Sequence, residues 1–216
     1  MIVKVTTPAT SHRLTTLDNV KTALDINSSD DDTYLEMLID QASDFVSQYC
    51  ARTFAKQTYE EQLGGTGHPR LMLDRTPIQQ INEIKSGDAV LDSNSYEIED
   101  ADAGFVWIDD KRWRQLRYVN QGIVPTATRF KRLDYTVEYE AGYTLPDDPN
   151  RDLPASLEAV VIEIVKWWFS ERTENPNVRW QEVGDTRETK YDRQVGDRVL
   201  PPKVETSLKP FVRVDT

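Results

Sequence analysis

Any chemistry in this sequence would have to be done with very little histidine or cysteine. The 216 residues hold two histidines, His12 and His68, and one cysteine, Cys50, so a zinc site or a histidine-dependent triad lacks its raw material. Asp30-Asp31-Asp32 places three carboxylates in a row, without the spaced acceptors and closing glutamate of a calcium loop. Their position ahead of an apolar-periodic stretch marks them as helix-capping residues. Gly64-Gly65-Thr66-Gly67 is followed by neither a Lys-Ser/Thr pair nor an opening helix, so it reads as a hairpin tip and not a phosphate cradle. Asn27-Ser28-Ser29 matches a glycosylation sequon but has no secretory signal ahead of it. His68 reads as a solvated loop residue, Cys50 as a small hydrophobe closing a helix. Among 37 acidic residues no pair is singled out for glycosidase chemistry. The expectation is a protein that is not an enzyme, with no cofactor and no metal.

One stretch does carry binding chemistry. Residues 111–132 hold seven Lys or Arg and no acid, interleaving Arg112, Arg114, Arg117, Arg129, Lys131 and Arg132 with Trp113, Tyr118 and Phe130. That composition can hold phosphates and stack bases, or it can face an acidic neighbour. The rest of the chain favours the neighbour. The net charge is -11 and alternates: 3 basic against 8 acidic over 1–50, 5 against 12 over 51–110, 3 against 10 over 133–178, and 8 against 7 over 179–216. Alternating sign suits a chain that meets copies of itself, whereas a general DNA-binding surface needs a basic excess over the whole domain. A nucleic-acid-binding accessory role through 111–132 is the second reading. A carboxylate-dependent hydrolase would need two perturbed acids in one cleft, which sequence does not reveal.

These residues need elements to position them. Thr15 and Thr16 cap a helix in which Leu17, Val20, Ala23 and Leu24 recur at helical spacing. After the acidic turn, Leu35, Leu38, Ile39, Ala42, Phe45, Val46 and Tyr49 form one continuous helical stripe. From Thr53 the texture changes to short alternating runs (Thr58 to Leu63, Leu71 to Leu73, Ile78 to Ile84, Tyr96 to Ile98, Phe105 to Ile108, Arg132 to Glu140) bounded by Gly, Asp, Asn and Pro, a strand-and-turn pattern. Pro154 opens a helix in which Leu157, Val160, Val161, Ile164, Val165, Trp167, Trp168 and Phe169 are apolar over more than half the circumference. Such a helix needs cover on two sides, from its own core and from a neighbour. Residues 177–200 are polar, and a last short helix begins after Pro201-Pro202 with Val204, Leu208, Phe211 and Val212 on one face. The longest apolar run, around Ala159 to Phe169, is short and broken by Glu163 and Lys166, so no membrane span is expected. The first residues lack the apolar core of a signal peptide, and a single cysteine suits a reducing compartment.

The expected fold class is α+β: mainly a helical bundle, with an inserted small β-rich domain and an extended C-terminal arm. The expected boundaries are 1–52 for the N-terminal helical part, 53–143 for the β-rich insertion, 144–178 for the helical part completing the bundle, and 179–216 for the arm with its short terminal helix.

In this order the elements resemble the head–tail connector (adaptor) proteins of tailed bacteriophages and prophages. The segment LTTLDNVKTALDINSSDDDTYLEMLIDQASDFVSQYC is similar to that family's N-terminal helical pair, and VEYEAGYTLPDDPNRDLPASLEAVVIEIVKWW to its second half. The resemblance covers most of the chain outside 53–132. It implies a ring, commonly twelve-fold, beneath the portal of the packaged head, extending the DNA channel and giving the next neck or tail protein a platform. It implies as partners other copies of the chain, the portal protein, a downstream neck or tail completion protein, and genomic DNA that passes through the lumen without sequence-specific binding. It also implies that the C-terminal segment engages the portal or a neighbouring subunit, which here selects Val199, Leu200, Val204, Leu208, Phe211, Val212 and Arg213. No catalytic residue carries over.

Physical reasoning points the same way. A ring of about twelve copies would carry a charge of roughly -130, and a like-charged channel wall lets DNA slide without sticking. Trp167 and Trp168 point about 100° apart on a helix, so one can serve the core and the other a ring interface, where aromatics concentrate binding energy. Arg112, Arg114 and Arg117 complete the expected ring interface. The expected location is the virion neck.

Overall fold

The computed structural model describes residues 2–64, 68–109, 134–173, 181–183, 186–188 and 202–213. The chain forms two compact units: Met1–Thr10 with Ala55–Tyr143, and Ser11–Phe54 with Thr144–Thr216.

The first unit is built of strands. β1 (Ile2–Thr7), β2 (Gln57–Gly64), β8 (Asp134–Ala141), β4 (Ile78–Ser86) and β5 (Ala89–Val90) lie side by side in that order in one antiparallel sheet; β3 (Arg70–Met72), β7 (Phe105–Ile108) and β6 (Tyr96–Asp100) form a second. Strict alternation makes this possible: in β8, Tyr135, Val137, Tyr139 and Ala141 are buried while Thr136, Glu138 and Glu140 are half-exposed. The inward set meets Leu71, Leu73, Val106 and Ile108 of the smaller sheet's side in one hydrophobic core, with Tyr59 and Tyr139 directly opposed across strands at 5.9 Å between rings. Gly142 ends β8 at φ 108°, and a Cβ there would lie 2.6 Å from the Ala55 carbonyl oxygen, so only glycine lets these two backbone segments approach.

The second unit holds α1 (Leu17–Leu24), α2 (Asp32–Tyr49), α3 (Ala155–Thr173), α4 (Pro202–Leu208) and a separate two-stranded hairpin, β9 (Gln181–Val183) with β10 (Thr186–Glu188). Thr16 caps α1 by accepting the Asn19 N–H at 3.3 Å. The stripe of α2 buries Leu35, Leu38, Ile39, Ala42 and Val46, and the inward face of α3 buries Leu157, Val160, Val161, Ile164 and Val165. Each of these Leu, Ile and Val side chains contributes roughly 2 kcal/mol on leaving water. No described helix is long and apolar enough to cross a membrane.

Three expectations change. The protein is α+β, but among the described residues eight strands in two sheets, with the further β9–β10 pair, beside four helices make it strand-rich and not clearly a helical bundle. Residues 2–7, expected in the helical part, are a strand of the sheet, paired with β2 from Ile2 opposite Gln62 to Thr7 opposite Thr58. In the C-terminal arm the expected short helix is present as α4, but it is packed and not extended away: it buries Val204 and Leu208, and a 3-10 turn follows over Lys209–Phe211.

Candidate interaction surfaces

The helical unit is joined by charges that the sequence reading assigned to capping. The Asp31 side chain makes no capping hydrogen bond. Its carboxylate instead accepts from Arg172 Nη1 of α3 at 2.6 Å, and Asp32 accepts from Lys21 Nζ of α1 at 2.6 Å. The acidic turn therefore ties α2 to both helices beside it. Arg172 also lies over the Tyr34 ring, 4.7 Å from its centroid, and Tyr34 meets Phe169 at 6.1 Å. Beside this group Trp168 packs edge-on against Phe45 at 6.1 Å, and Phe45 stacks near Tyr49. Trp167 and Trp168 are both half-buried. Trp168 thus has an aromatic partner in its own chain, and Tyr49, at the edge of this surface, is exposed.

A second polar junction lies deeper. Glu158, at the start of α3 and 6% exposed, accepts hydrogen bonds from Thr15 Oγ1 (3.2 Å), Asn19 Nδ2 (2.7 Å) and Arg151 Nη2 (2.5 Å). Both of its oxygens are used, and one faces a cation. The three donors lie 143, 139 and 7 positions away, so no local spacing advertised the junction.

The C-terminal residues divide sharply. Val204 and Leu208 are buried, Phe211 meets Phe54 edge-on at 6.4 Å, and the Arg213 N–H donates to the Cys50 carbonyl at 2.9 Å. Phe211, Val212 and Arg213 are half-buried, while Lys203, Glu205, Thr206, Lys209 and Pro210 are exposed. The apolar face expected to reach the portal is thus largely spent on the helical unit itself. Val199, Leu200, Arg112, Arg114 and Arg117 lie outside the described residues.

The strand unit presents a surface the sequence reading did not single out. On the outward side of the smaller sheet, Met72 is 52% and Trp107 40% exposed, Phe105 is half-buried beneath the Arg70 guanidinium at 5.0 Å, and Arg70 Nε donates to Glu99 at 2.7 Å. Two exposed large apolar side chains beside a stacked arginine have the composition of an interface. The outward side of the larger sheet is polar: Glu60, Glu138 and Glu83 sit opposite one another on three adjacent strands, with Lys85 bonded to Glu83. Carboxylates directly opposed across strands weaken a sheet.

None of this makes a reaction centre. Burial pushes the Cys50 thiol up to about 11, so it stays protonated and inert at neutral pH. Glu61 is fully buried on the inward side of β2, where its Oε2 accepts from the Tyr139 hydroxyl (2.7 Å) and the Asp74 N–H (2.9 Å) while Oε1 has no partner. Burial raises its pKa despite those bonds, and burial together with the Glu61 charge raises that of Tyr139. His12 and His68 are exposed, and no cluster of His, Cys, Asp or Glu able to hold a metal ion occurs among the described residues.

No curated protein matches the sequence. The fold is similar to a chain in the neck of an empty gene transfer agent particle computed with C6 symmetry (TM-score 0.55, 11% identity, 100% of this chain and 97% of that one). It is also similar to chains in the virion of the native particle (TM-score 0.54, 11% identity) and in the native neck computed with C12 symmetry (TM-score 0.53, 11% identity), again over 100% of this chain and 97% of the other. The model of the head completion protein family matches residues 13–214. The chain therefore belongs to the head completion protein family.

Proposed function

We propose that this chain is a structural head–tail connector, a ring beneath the portal that extends the DNA channel and carries the next neck or tail protein. The observation that carries the reading is the family match over 13–214, nearly the whole chain. The likeness to neck chains over the full length and the net charge of -11 support it. No catalytic step is assigned to it. Trp167 and Trp168, both half-buried, remain the pair of which one serves the core and the other a ring contact. Portal docking through the C-terminal segment rests on Val199, Leu200 and the half-buried Phe211, Val212 and Arg213, with Val204 and Leu208 holding their helix in place from beneath.

Two measurements test this. Purified chain added to DNA-filled heads that lack it should bind at a single vertex and restore tail attachment; binding scattered over the capsid, or none, overturns the neck role. Native mass spectrometry over a concentration series, with negative-stain images, tests the ring: closed particles of about twelve copies support it, and open filaments of uneven length overturn closure. The basic composition of 111–132 sustains a second reading, DNA binding. It predicts salt-sensitive affinity for duplex that is lost in Arg114→Glu and Arg117→Glu, whereas the connector reading predicts none at physiological salt.

A further inference from the structure

The five-stranded sheet has two unequal edges. β5 is a stub of two residues, whereas β1 runs for six and is paired on one side only among the described residues. In an antiparallel edge strand every second residue points its N–H and C=O away from the sheet, and long edges of this kind are normally shielded. Here the shielding is thin. Ile2 is 64% and Val5 43% exposed, Lys4 is the only charge, and the strand contains no proline. The register shift between Val5 and Thr7 leaves Ile2 to Val5 as the regular open stretch.

The helical unit holds the opposite case. β9 and β10 pair three residues each, Gln181 opposite Glu188 and Val183 opposite Thr186, in a sheet of their own with no third strand among the described residues. A lone ribbon of that size is marginal in water. Among the described residues, one part of the chain thus offers an edge without a strand, and another offers strands without a sheet. The charges agree, with Lys4 on the edge and Glu182, Arg187 and Glu188 in the ribbon.

We infer that the β9–β10 hairpin of one copy adds to the β1 edge of the next, extending the five-stranded sheet across the subunit boundary. The inference rests on the proposed ring. Edge and hairpin are different patches of one sequence, so the contact repeats head to tail, the heterologous kind that closes into a ring when the rotation allows.

The test uses the full-length chain in two variants. One carries a proline at position 3, 4, 5 or 6; the other has residues 181–188 replaced by a flexible Gly-Ser stretch. Proline effects should alternate along β1. Where the N–H faces β2, proline lowers the melting temperature; where it faces outward, melting is unchanged and association weakens at least tenfold. If Val5→Pro does not fold, Lys4→Pro carries the test, since its N–H points the other way. An outward-facing proline variant mixed with the hairpin-replaced variant should give a one-to-one heterodimer and nothing larger in sedimentation velocity, because each supplies one half of the contact. Wild-type-like assembly by the outward-facing proline variant, or no heterodimer in the mixture, overturns the pairing and leaves the ring to other surfaces. A wild-type chain that stays monomeric at every concentration also overturns it as a self-assembly contact, while single-vertex binding to heads still decides the neck role.

Discussion

Glu158 in the helical unit and Glu61 in the strand unit are both buried, and their surroundings differ in kind. Glu158 has three donors over its two oxygens, one of them the Arg151 guanidinium. Glu61 has two donors on one oxygen, nothing on the other, and no ion pair. The first is a charge taken out of water together with its counter-ion; the second is a carboxyl whose site disfavours the charge. The difference follows from what each fold can bring near. Packed helices and the segments that lead into them deliver side chains to one point, here Asn19 of α1, Thr15 ahead of it and Arg151 ahead of α3, whereas the interior of a sheet sandwich is filled by cross-strand neighbours, here Val137 and Val3 on either side of Glu61. Polar groups therefore join helices in one unit, while apolar pairing holds the other and tolerates one awkward acid.

The comparison can be broken at several points. The largest effect should come from removing residues 202–216, which uncovers the surface under Val204, Leu208 and Phe211. The helical unit should lose roughly 5 kcal/mol, read by hydrogen exchange, with the amides of β8 still protected; equal loss of protection in both units would show that they do not stand separately. Next, Glu158→Ala strands Arg151 and Thr15 and should cost about 3 kcal/mol in urea unfolding. A cost below about 1 kcal/mol would mean that water replaces the carboxylate and that the junction is not structural. Trp168→Ala, which loses the edge-on contact with Phe45, should cost about 2 kcal/mol, and of Trp167→Ala and Trp168→Ala one should mainly lower the melting temperature and the other mainly weaken assembly. Equal effects of the two changes on both properties would end that division.

The smallest effect concerns pH. The folded pKa of Glu61 lies above its ordinary 4.5, so the folded state binds this proton more tightly than the unfolded one. The contribution of Glu61 to stability is fully present below pH 4.5 and is lost as pH rises through the raised folded value. Glu61→Gln should remove that part of the slope, seen as the difference between wild-type and variant melting temperatures across pH. Parallel curves would show that Glu61 does not titrate abnormally.

Sequence reading reached the elements whose information is local. The α2 stripe, the alternation of β8 and the short helix after Pro201-Pro202 each declare themselves within one window. β1 was missed although Ile2, Val3, Val5, Thr6 and Thr7 favour strands, because its partner β2 lies some fifty positions away and helices intervene. The acidic turn was assigned to capping because the chemistry within reach of 30–32 in sequence is backbone amide; Lys21 and Arg172 come near only once the helices pack. Leu208 shows the same limit from the other side. Its helical spacing was legible, but spacing shows that a face is apolar without showing whether the same chain or another molecule covers it.

The interleaving of the two units bears on how the protein is made. Strand β1 leaves the ribosome ahead of its partners and must wait for β2, some fifty residues later, and for β8 beyond that to flank β2. The long helix α2 is complete early, yet its capping carbonyl at Cys50 receives the Arg213 N–H, which emerges more than 160 residues afterwards. Neither unit can finish while the chain is still short, and loop closure over such distances is slow. A half-made chain exposes the apolar stripe of α2 and an unpaired β1 together, the species most prone to aggregate. Slowing translation late in the message should therefore lower the soluble yield more than slowing it early.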